Sequence, residues 1–286
     1  MAEIHHFTYG WFTPVVAFLM AFLGSLLGLV CTARARESRT AGRRARWLVI
    51  AATAIGGTGI WLMHFMAMLG FEVPVSPVRF DPWLTLLSMM LAVVPVGVGL
   101  FLVGWRAPSL PRILCGGLFT GFGVLGMHYT GMAGLRLAGT MEFDLPLVAA
   151  SALIAVVAAT AALWFTTIVK GWGPILAAAT TMAVAVCGMH YTGMAAIRVH
   201  LAHDPAPVDG INPFSLLVPI TLLAAAALIG MAFSALQAMT EEEFDGDRSG
   251  ARAAAAESGG DPAWSLRQVS LAAAMSAPTA EHSRVS

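Results

Sequence analysis

Residues 126–136 read GMHYTGMAGLR, and residues 188–198 repeat this pattern as GMHYTGMAAIR, with nine of eleven positions identical. A degenerate third copy, LMHFMAMLGF, lies earlier at residues 62–71. Each copy contains one histidine: His64, His128 and His190. These histidines are 64 and 62 residues apart. A fixed period of this kind indicates that one structural unit is used three times along the chain.

The composition around the repeat is typical of an integral membrane protein. Hydrophobic residues make up 58% of the 286 residues and charged residues only 11%, against roughly 25% charged in soluble domains. This balance excludes an ordinary soluble enzyme and a disordered protein, and the formal net charge of zero argues against a nucleic-acid partner. Seven stretches without Asp, Glu, Lys or Arg have the length, about 20 residues, that a membrane helix needs: Trp11–Ala33, Trp47–Gly70, Trp83–Trp105, Ile113–Leu135, Leu145–Val169, Pro174–Ile197 and Pro213–Leu236.

The fold class that follows is an all-α membrane protein, a seven-transmembrane-helix bundle containing three two-helix repeats. The repeat period equals two spans and their loops, so every motif copy falls near the end of an even-numbered span. The loops after spans one, three and five hold nine basic residues and the loops on the other side hold three. By the positive-inside rule the N-terminus is outside, the C-terminus is cytoplasmic and the three motifs lie in the outer third of the bilayer.

The repeat also carries a candidate metal site, because each histidine has a methionine directly before it and another four residues after it. An i, i+4 pair lies on one face of a helix. If the three faces converge, imidazoles and thioethers meet, and this ligand set suits Cu(I). The predicted metal ligands are His64, Met68, His128, Met132, His190, Met194, Met63, Met127 and Met189.

Other side chains are open candidates for the same site. Tyr129 and Tyr191 either hydrogen-bond a ligand or hold the helices in position, and a histidine or methionine in a membrane helix can also serve packing alone. Cys187 lies three residues before His190 and can share its face. His5 and His6 precede the first span and could cap the site.

The predicted spans divide the chain into three segments: an extracytoplasmic N-terminus (1–10), the membrane domain (11–236) and a disordered cytoplasmic tail (237–286). The tail begins with the acidic run Glu241–Asp247 and continues rich in Ala, Ser, Gly and Pro. It is too polar and too short for a second folded domain. We therefore expect no enzymatic activity, and we expect the acidic run to contact a cytoplasmic signalling partner.

The quoted motifs resemble the MHYT family, since Met127–Thr130 and Met189–Thr192 both spell its name and residues 63–65 look like its variant first copy. The resemblance covers about residues 5–240. It implies a multi-pass sensor module of the bacterial cytoplasmic (inner) membrane that binds copper through the motif His and Met and senses O2, CO or NO.

Three functions stay open from the sequence. The first is a sensor of a diatomic gas or of redox state, with copper as cofactor. The second is a redox protein in which two histidines on facing helices bind haem. The third is a copper transporter, although no span carries the buried carboxylate or basic relay that proton-coupled carriers usually have. The oligomeric state does not follow from the sequence.

Overall fold

The structure is a computed structural model that describes residues 8–73, 76–201 and 208–212, together with positions 215, 222, 225, 229, 230 and 233. Its main helices are α1 (Phe12–Glu37), α2 (Ala41–Ala52), a π-helix (Thr53–Leu62), α3 (Met63–Met68), α4 (Pro82–Gly104), α5 (Leu110–Ala133), α6 (Leu145–Ile168) and α7 (Trp172–Ala195). Four short strands connect them: β1 (Arg79–Phe80), β2 (Leu135–Arg136), β3 (Gly139–Phe143) and β4 (Ile197–Leu201).

Six helices in the described part of the chain are long and apolar enough to cross a membrane, and they match the first six predicted spans. The second of them joins α2, the π-helix and α3 into one continuous rod, Ala41–Met68. The seventh predicted span, Pro213–Leu236, lies outside the described residues except for six scattered positions, all of them helical. The tail, 237–286, lies wholly outside them, so the seventh span, the tail and the orientation stay predictions.

The first two helices are longer than their apolar runs. Helix α1 continues past Ala33 to Glu37 and α2 begins at Ala41, where the Thr40 hydroxyl accepts a hydrogen bond from the Arg43 N–H at 3.3 Å. An apolar run marks the part of a helix that hydrocarbon can surround, whereas the helix itself continues until its backbone groups are capped. The arginines after span one therefore extend two helices and are not confined to a loop.

The helices that carry the motifs alternate with helices that do not. Helix α1 packs against the π-helix and α7, α4 packs against the π-helix and α5, and α6 packs against α5 and α7. The six spans thus form a closed ring with the motif helices at every second position. Gly117 and Gly121 of α5 lie directly against Thr160 and Val156 of α6. Added side chains there would meet the α6 backbone, so small residues set this helix–helix distance.

The ends of the motif helices are tied to one another by antiparallel strands. Strand β1 pairs with β2, and β3 pairs with β4 over five residues from Gly139–Leu201 to Phe143–Ile197. Sequence analysis treated these segments as loops, because strands of two to five residues are too short to show a repeated apolar–polar alternation. The fold is therefore mainly helical, with small two-stranded sheets at the end of the bundle that carries the motifs.

Candidate metal centre

Each motif histidine lies about one turn before the end of its helix. His64 is in α3, which ends at Met68, and His128 and His190 precede the ends of α5 and α7 by five residues each. Because the motif helices occupy equivalent places in the ring, the three side chains point to a common centre. Helix α3 differs from its two counterparts in following ten residues of π-helix, a conformation that is rare and often found at functional sites.

The three imidazoles form a compact triangle inside the bundle. The ring centroids are 5.0 Å apart for His64–His190, 5.1 Å for His64–His128 and 5.2 Å for His128–His190, and each pair meets edge to face. All three side chains are at most 1% exposed. One nitrogen from each ring lies within 4.8 Å of the others. Among the described residues this is the only group of three or more His, Cys, Asp or Glu side chains placed to hold one ion.

The hydrogen bonding of the triangle is incomplete. Nδ1 of His64 lies 3.1 Å from Nδ1 of His190, so one of these atoms carries the proton and the other accepts it. Nε2 of His64 and both ring nitrogens of His128 have no hydrogen-bond partner within the described part of the chain. Buried polar atoms without partners are costly and uncommon in native proteins. A bound metal ion would satisfy such nitrogens, which fits the predicted use of His64, His128 and His190.

Glycines of the motif provide the surfaces on which two of these rings lie. A side chain added at Gly131 of α5 would place its Cβ 2.5 Å from Nε2 of His64, and one added at Gly193 of α7 would come closer still to Nε2 of His128. Each ring thus contacts the backbone of the next motif helix. Sequence analysis assigned these glycines no role at the site, although they stand three residues after each histidine in both complete copies. The first copy has Ala67 at this position.

The six predicted methionine ligands are all in the interior. Every one of them is at most 3% exposed, and they are Met63, Met68, Met127, Met132, Met189 and Met194. Burial is required of a metal ligand at this depth but is equally expected of a methionine that fills a core. Their part in metal binding therefore stays a prediction.

The two motif tyrosines lie beside the histidine triangle. The Tyr129 ring lies edge-on to His128 with centroids 4.8 Å apart, and its hydroxyl is hydrogen-bonded to the Ser151 hydroxyl of α6 at 2.9 Å. The Tyr191 ring makes the equivalent contact with His190 at 5.0 Å. The Tyr129 hydroxyl thus holds α5 to α6. A role of either tyrosine in ligand binding stays a prediction.

The remaining candidates stand apart from the triangle or outside the described residues. Cys187 is half-buried and does not belong to the group of side chains that could share one ion. His5, His6 and His203 lie outside the described residues. His200 on β4 is 42% exposed and its Nε2 lies 3.4 Å from a Glu142 carboxylate oxygen.

Two ion pairs close the motif end of the bundle, and sequence analysis missed them. Arg136 pairs with Asp81 at 2.9 Å and Arg198 pairs with Asp144 at 2.7 Å. Each aspartate directly precedes the first helix of its repeat. The Asp81 N–H donates to the Gly134 carbonyl and the Asp144 N–H donates to the Ala196 carbonyl, both at 2.8 Å. Each of these carbonyls belongs to the residue six positions after the motif histidine. The sequence does contain a pattern that points to these pairs. An Asp precedes span three and another precedes span five, and an Arg follows 55 and 54 residues later, respectively.

The Asp81 carboxylate is held in its charged form by these contacts. The hydrogen bond from Arg136 lowers the pKa of Asp81, and the backbone N–H groups of Leu84 and Trp83, which Asp81 caps, lower it further. In the first repeat Thr8 takes the equivalent place, since its N–H donates to the Gly70 carbonyl at 3.2 Å. The backbone contact is therefore repeated in all three repeats, whereas the Arg–Asp ion pair is formed in two of them among the described residues.

Comparison with known proteins identifies the repeat. The sequence profile of the MHYT family, described as "Bacterial signalling protein N terminal repeat", matches three times, over residues 57–116, 121–179 and 184–248. No solved structure matches the chain. The three matched segments together cover more than half of the sequence, and each of them begins six or seven residues before a motif histidine.

Two relatives from Pseudomonas aeruginosa are similar over most of the chain. The bifunctional diguanylate cyclase/cyclic di-GMP phosphodiesterase MucR is 35% identical over 241 residues, which cover 80% of this chain and 34% of that protein. The cyclic di-GMP phosphodiesterase NbdA is 34% identical over 196 residues, which cover 66% of this chain and 24% of that protein. The signaling protein YkoW of Bacillus subtilis is 26% identical over 209 residues. The chain thus spans about a third of the length of MucR and about a quarter of the length of NbdA.

Proposed function

Because the chain belongs to the MHYT family of bacterial signalling-protein repeats, we propose that it is a membrane sensor that binds copper between His64, His128 and His190. It is a multi-pass membrane protein, and we place it in the bacterial cytoplasmic membrane with the triangle near the outer face. The observation that carries the proposal is the convergence of three buried imidazoles, one from each repeat, on a single point.

The choice of copper rests on the chemistry of the available ligands. Imidazole nitrogens suit copper and other transition metals, and buried thioethers at the same offset in each copy favour Cu(I) in particular. Among the described residues no carboxylate joins the three histidines, and Mg²⁺ and Ca²⁺ would require carboxylate ligands. The imidazoles also contact one another directly. This spacing favours a single ion over a haem, whose ring would have to lie between two axial histidines.

Bound copper would supply an open coordination position or a redox change, which is the chemistry needed to detect O2, CO or NO. The residues of the chain hold the ring nitrogens in place and exclude water, since all three histidines are buried at the ends of separate helices. A displacement of the His64 ring toward Gly131, or of the His128 ring toward Gly193, would press on the backbone of a neighbouring motif helix. A change at the triangle would therefore alter helix packing.

The output of the sensor is also a proposal. The relatives MucR and NbdA are named as enzymes of cyclic di-GMP turnover, but the similarity covers only a third and a quarter of their lengths. We propose that the chain itself is not an enzyme and that it signals through the acidic segment 241–247 to a cytoplasmic partner. Cyclic di-GMP metabolism is the process to examine first.

The decisive experiment is metal analysis of the purified protein together with its optical spectrum. We expect bound copper and no intense haem band. Alanine at His64, His128 or His190 should each reduce the copper content strongly. The matched control is His200→Ala, because His200 is partly exposed and pairs with Glu142. Unchanged copper in a folded protein lacking all three motif histidines would end the proposal.

A second set of variants tests the methionines separately. Isoleucine at Met68, Met132 or Met194 retains an apolar side chain of similar size but removes the thioether. We expect these changes to weaken Cu(I) binding more than Cu(II) binding, because Cu(I) prefers the softer sulfur ligand. Equal losses for both oxidation states, or no loss for either, would assign these methionines to packing.

A further inference from the structure

An internal cavity of about 60 Å³ lies beside the histidine triangle. Its lining includes Ile60, Val124 and Val186, and each of these residues is four positions before a motif histidine. In an α-helix residues four apart share a face and are separated by about one turn, roughly 5–6 Å along the axis, and this applies to Val124 and Val186. Ile60 has the same offset from His64 and lies in the last turn of the π-helix. The three copies of the repeat thus place the cavity one helical turn from the imidazoles, on the same internal face.

The walls of the cavity are almost entirely apolar. They are completed by alanines of α6 and by methionines of α7, among them Ala155, Ala159, Met182 and Met189. Three hydroxyl groups also line the cavity, those of Ser25, Thr120 and Thr166. The Thr120 hydroxyl donates to the Pro95 carbonyl at 3.1 Å and the Thr166 hydroxyl donates to the Leu163 carbonyl at 2.6 Å, so both already have partners within the protein. An ordered water needs two to four polar partners, and an apolar cavity without them stays dry and accepts apolar molecules.

The lining also shows where a molecule could enter. Ala158 and Ala162 of α6 and Val186 of α7 line the cavity and are half-buried, whereas the lining residues Val124, Ala155 and Met182 are buried. The less buried part of the wall therefore faces outward between α6 and α7, two helices that pack against each other. Small apolar molecules dissolve well in hydrocarbon, so the bilayer would supply them from this side.

We propose that this cavity is a binding site for one small apolar molecule, separate from the metal ligands and adjacent to them. Its volume and its mainly apolar lining select uncharged molecules of a few atoms. The binding itself does not depend on copper. The function we assign to it rests on the proposed sensor, because a site one turn from the triangle would concentrate an apolar gas next to the histidines.

Xenon is a direct probe of the site. We would label the methionine methyl groups with carbon-13 in metal-free protein and follow their NMR shifts as the xenon pressure rises. Met182 and Met189 line the cavity, whereas Met90 is 43% exposed on the outside of α4. We expect saturable shifts at Met182 and Met189 and a weak linear response at Met90. Linear responses of equal size at all three positions would overturn the proposal.

Variants that fill or enlarge the cavity complete the test. Ala159→Leu should abolish the saturable shift, while the control Ala177→Leu makes the same change on the exposed side of α7 and should leave it intact. If Ala159→Leu does not fold, Val124→Ala provides the test of the cavity site. This change enlarges the cavity and should tighten xenon binding. Xenon affinity unchanged by Val124→Ala would refute the location.

Copper content is measured separately, on protein from which no metal has been removed. Absence of copper from that protein, with xenon binding retained in the metal-free protein, would refute the sensor proposal and leave the cavity site standing. The opposite result would refute the cavity site alone.

Discussion

Replacing Gly193 with alanine tests whether the imidazoles lie on the backbone of neighbouring helices. The new Cβ would overlap Nε2 of His128, so the ring must rotate away or α7 must move. Gly188 lies five residues earlier in the same helix, and a Cβ added there has no atom within 4 Å. Gly188→Ala is therefore the matched control, because it makes the same chemical change without touching the triangle.

The expected effect follows from two opposing terms. Alanine in a helix interior is favoured over glycine by roughly 0.5–1 kcal/mol, and both variants gain this amount. Inserting a methyl group into a packed core costs typically about 1–3 kcal/mol, and only Gly193→Ala incurs this cost. The two variants should therefore differ in free energy of unfolding by about 1–3 kcal/mol. For a chain of this size that corresponds to about 2–12 °C in Tm.

Thermal unfolding in detergent or nanodiscs and copper content would be measured on both variants. We expect Gly193→Ala to unfold at lower temperature than Gly188→Ala and to hold less copper, because a displaced His128 cannot reach the common point. Gly131→Ala and Gly126→Ala form a second pair, in which only the first would meet a histidine. Equal Tm and equal copper content within both pairs would refute the ring-on-backbone contact.

Three further predictions concern the ends of the bundle. Arg136 lowers the pKa of Asp81, so the stability from this pair is present above the unfolded pKa of aspartate and is lost as the pH falls through the folded pKa. Asp81→Asn should therefore lower the resistance of the protein to denaturant at neutral pH but not at low pH. A periplasm-dependent reporter should be active when fused after Gly210 and inactive after Arg46, and the reverse would overturn the orientation. Truncation after Met239 should leave copper binding intact and abolish signalling, whereas a truncated protein that signals normally would contradict the role given to the tail.

The sequence was sufficient to predict the features that depend on composition and period. Long apolar runs located the six described spans, because hydrocarbon tolerates few alternatives to a helix. The repeat placed His64, His128 and His190 on equivalent helices, and equivalent helices in a closed ring bring their side chains to one centre. Neither inference required knowledge of which helix contacts which.

The features that the sequence did not reveal depend on particular contacts. The π-helix over Thr53–Leu62 contains three glycines, but nothing in this composition distinguishes a π-helix from an α-helix in an apolar span. It packs against α1 and α4. The partners of Arg136 and Arg198 were missed because an interfacial arginine has several acceptable environments, including headgroups and the helix dipole. Gly131 was noted only as part of the repeat, because a small residue shows where something approaches but not what it is.

The contacts around the triangle form a closed cycle, and this explains how a small site can influence a whole bundle. The His64 ring lies on α5 at Gly131, and the His128 ring lies on α7 at Gly193. His190 of α7 then returns the contact to His64 through their Nδ1 atoms, 3.1 Å apart. Each motif helix is thus linked to both others by an imidazole. Because packed interiors transmit displacement with little compression, movement of the His64 or His128 ring toward the glycine it contacts is passed on to a second helix. Coupling between the repeats therefore requires no mobile loop and no direct contact with lipid.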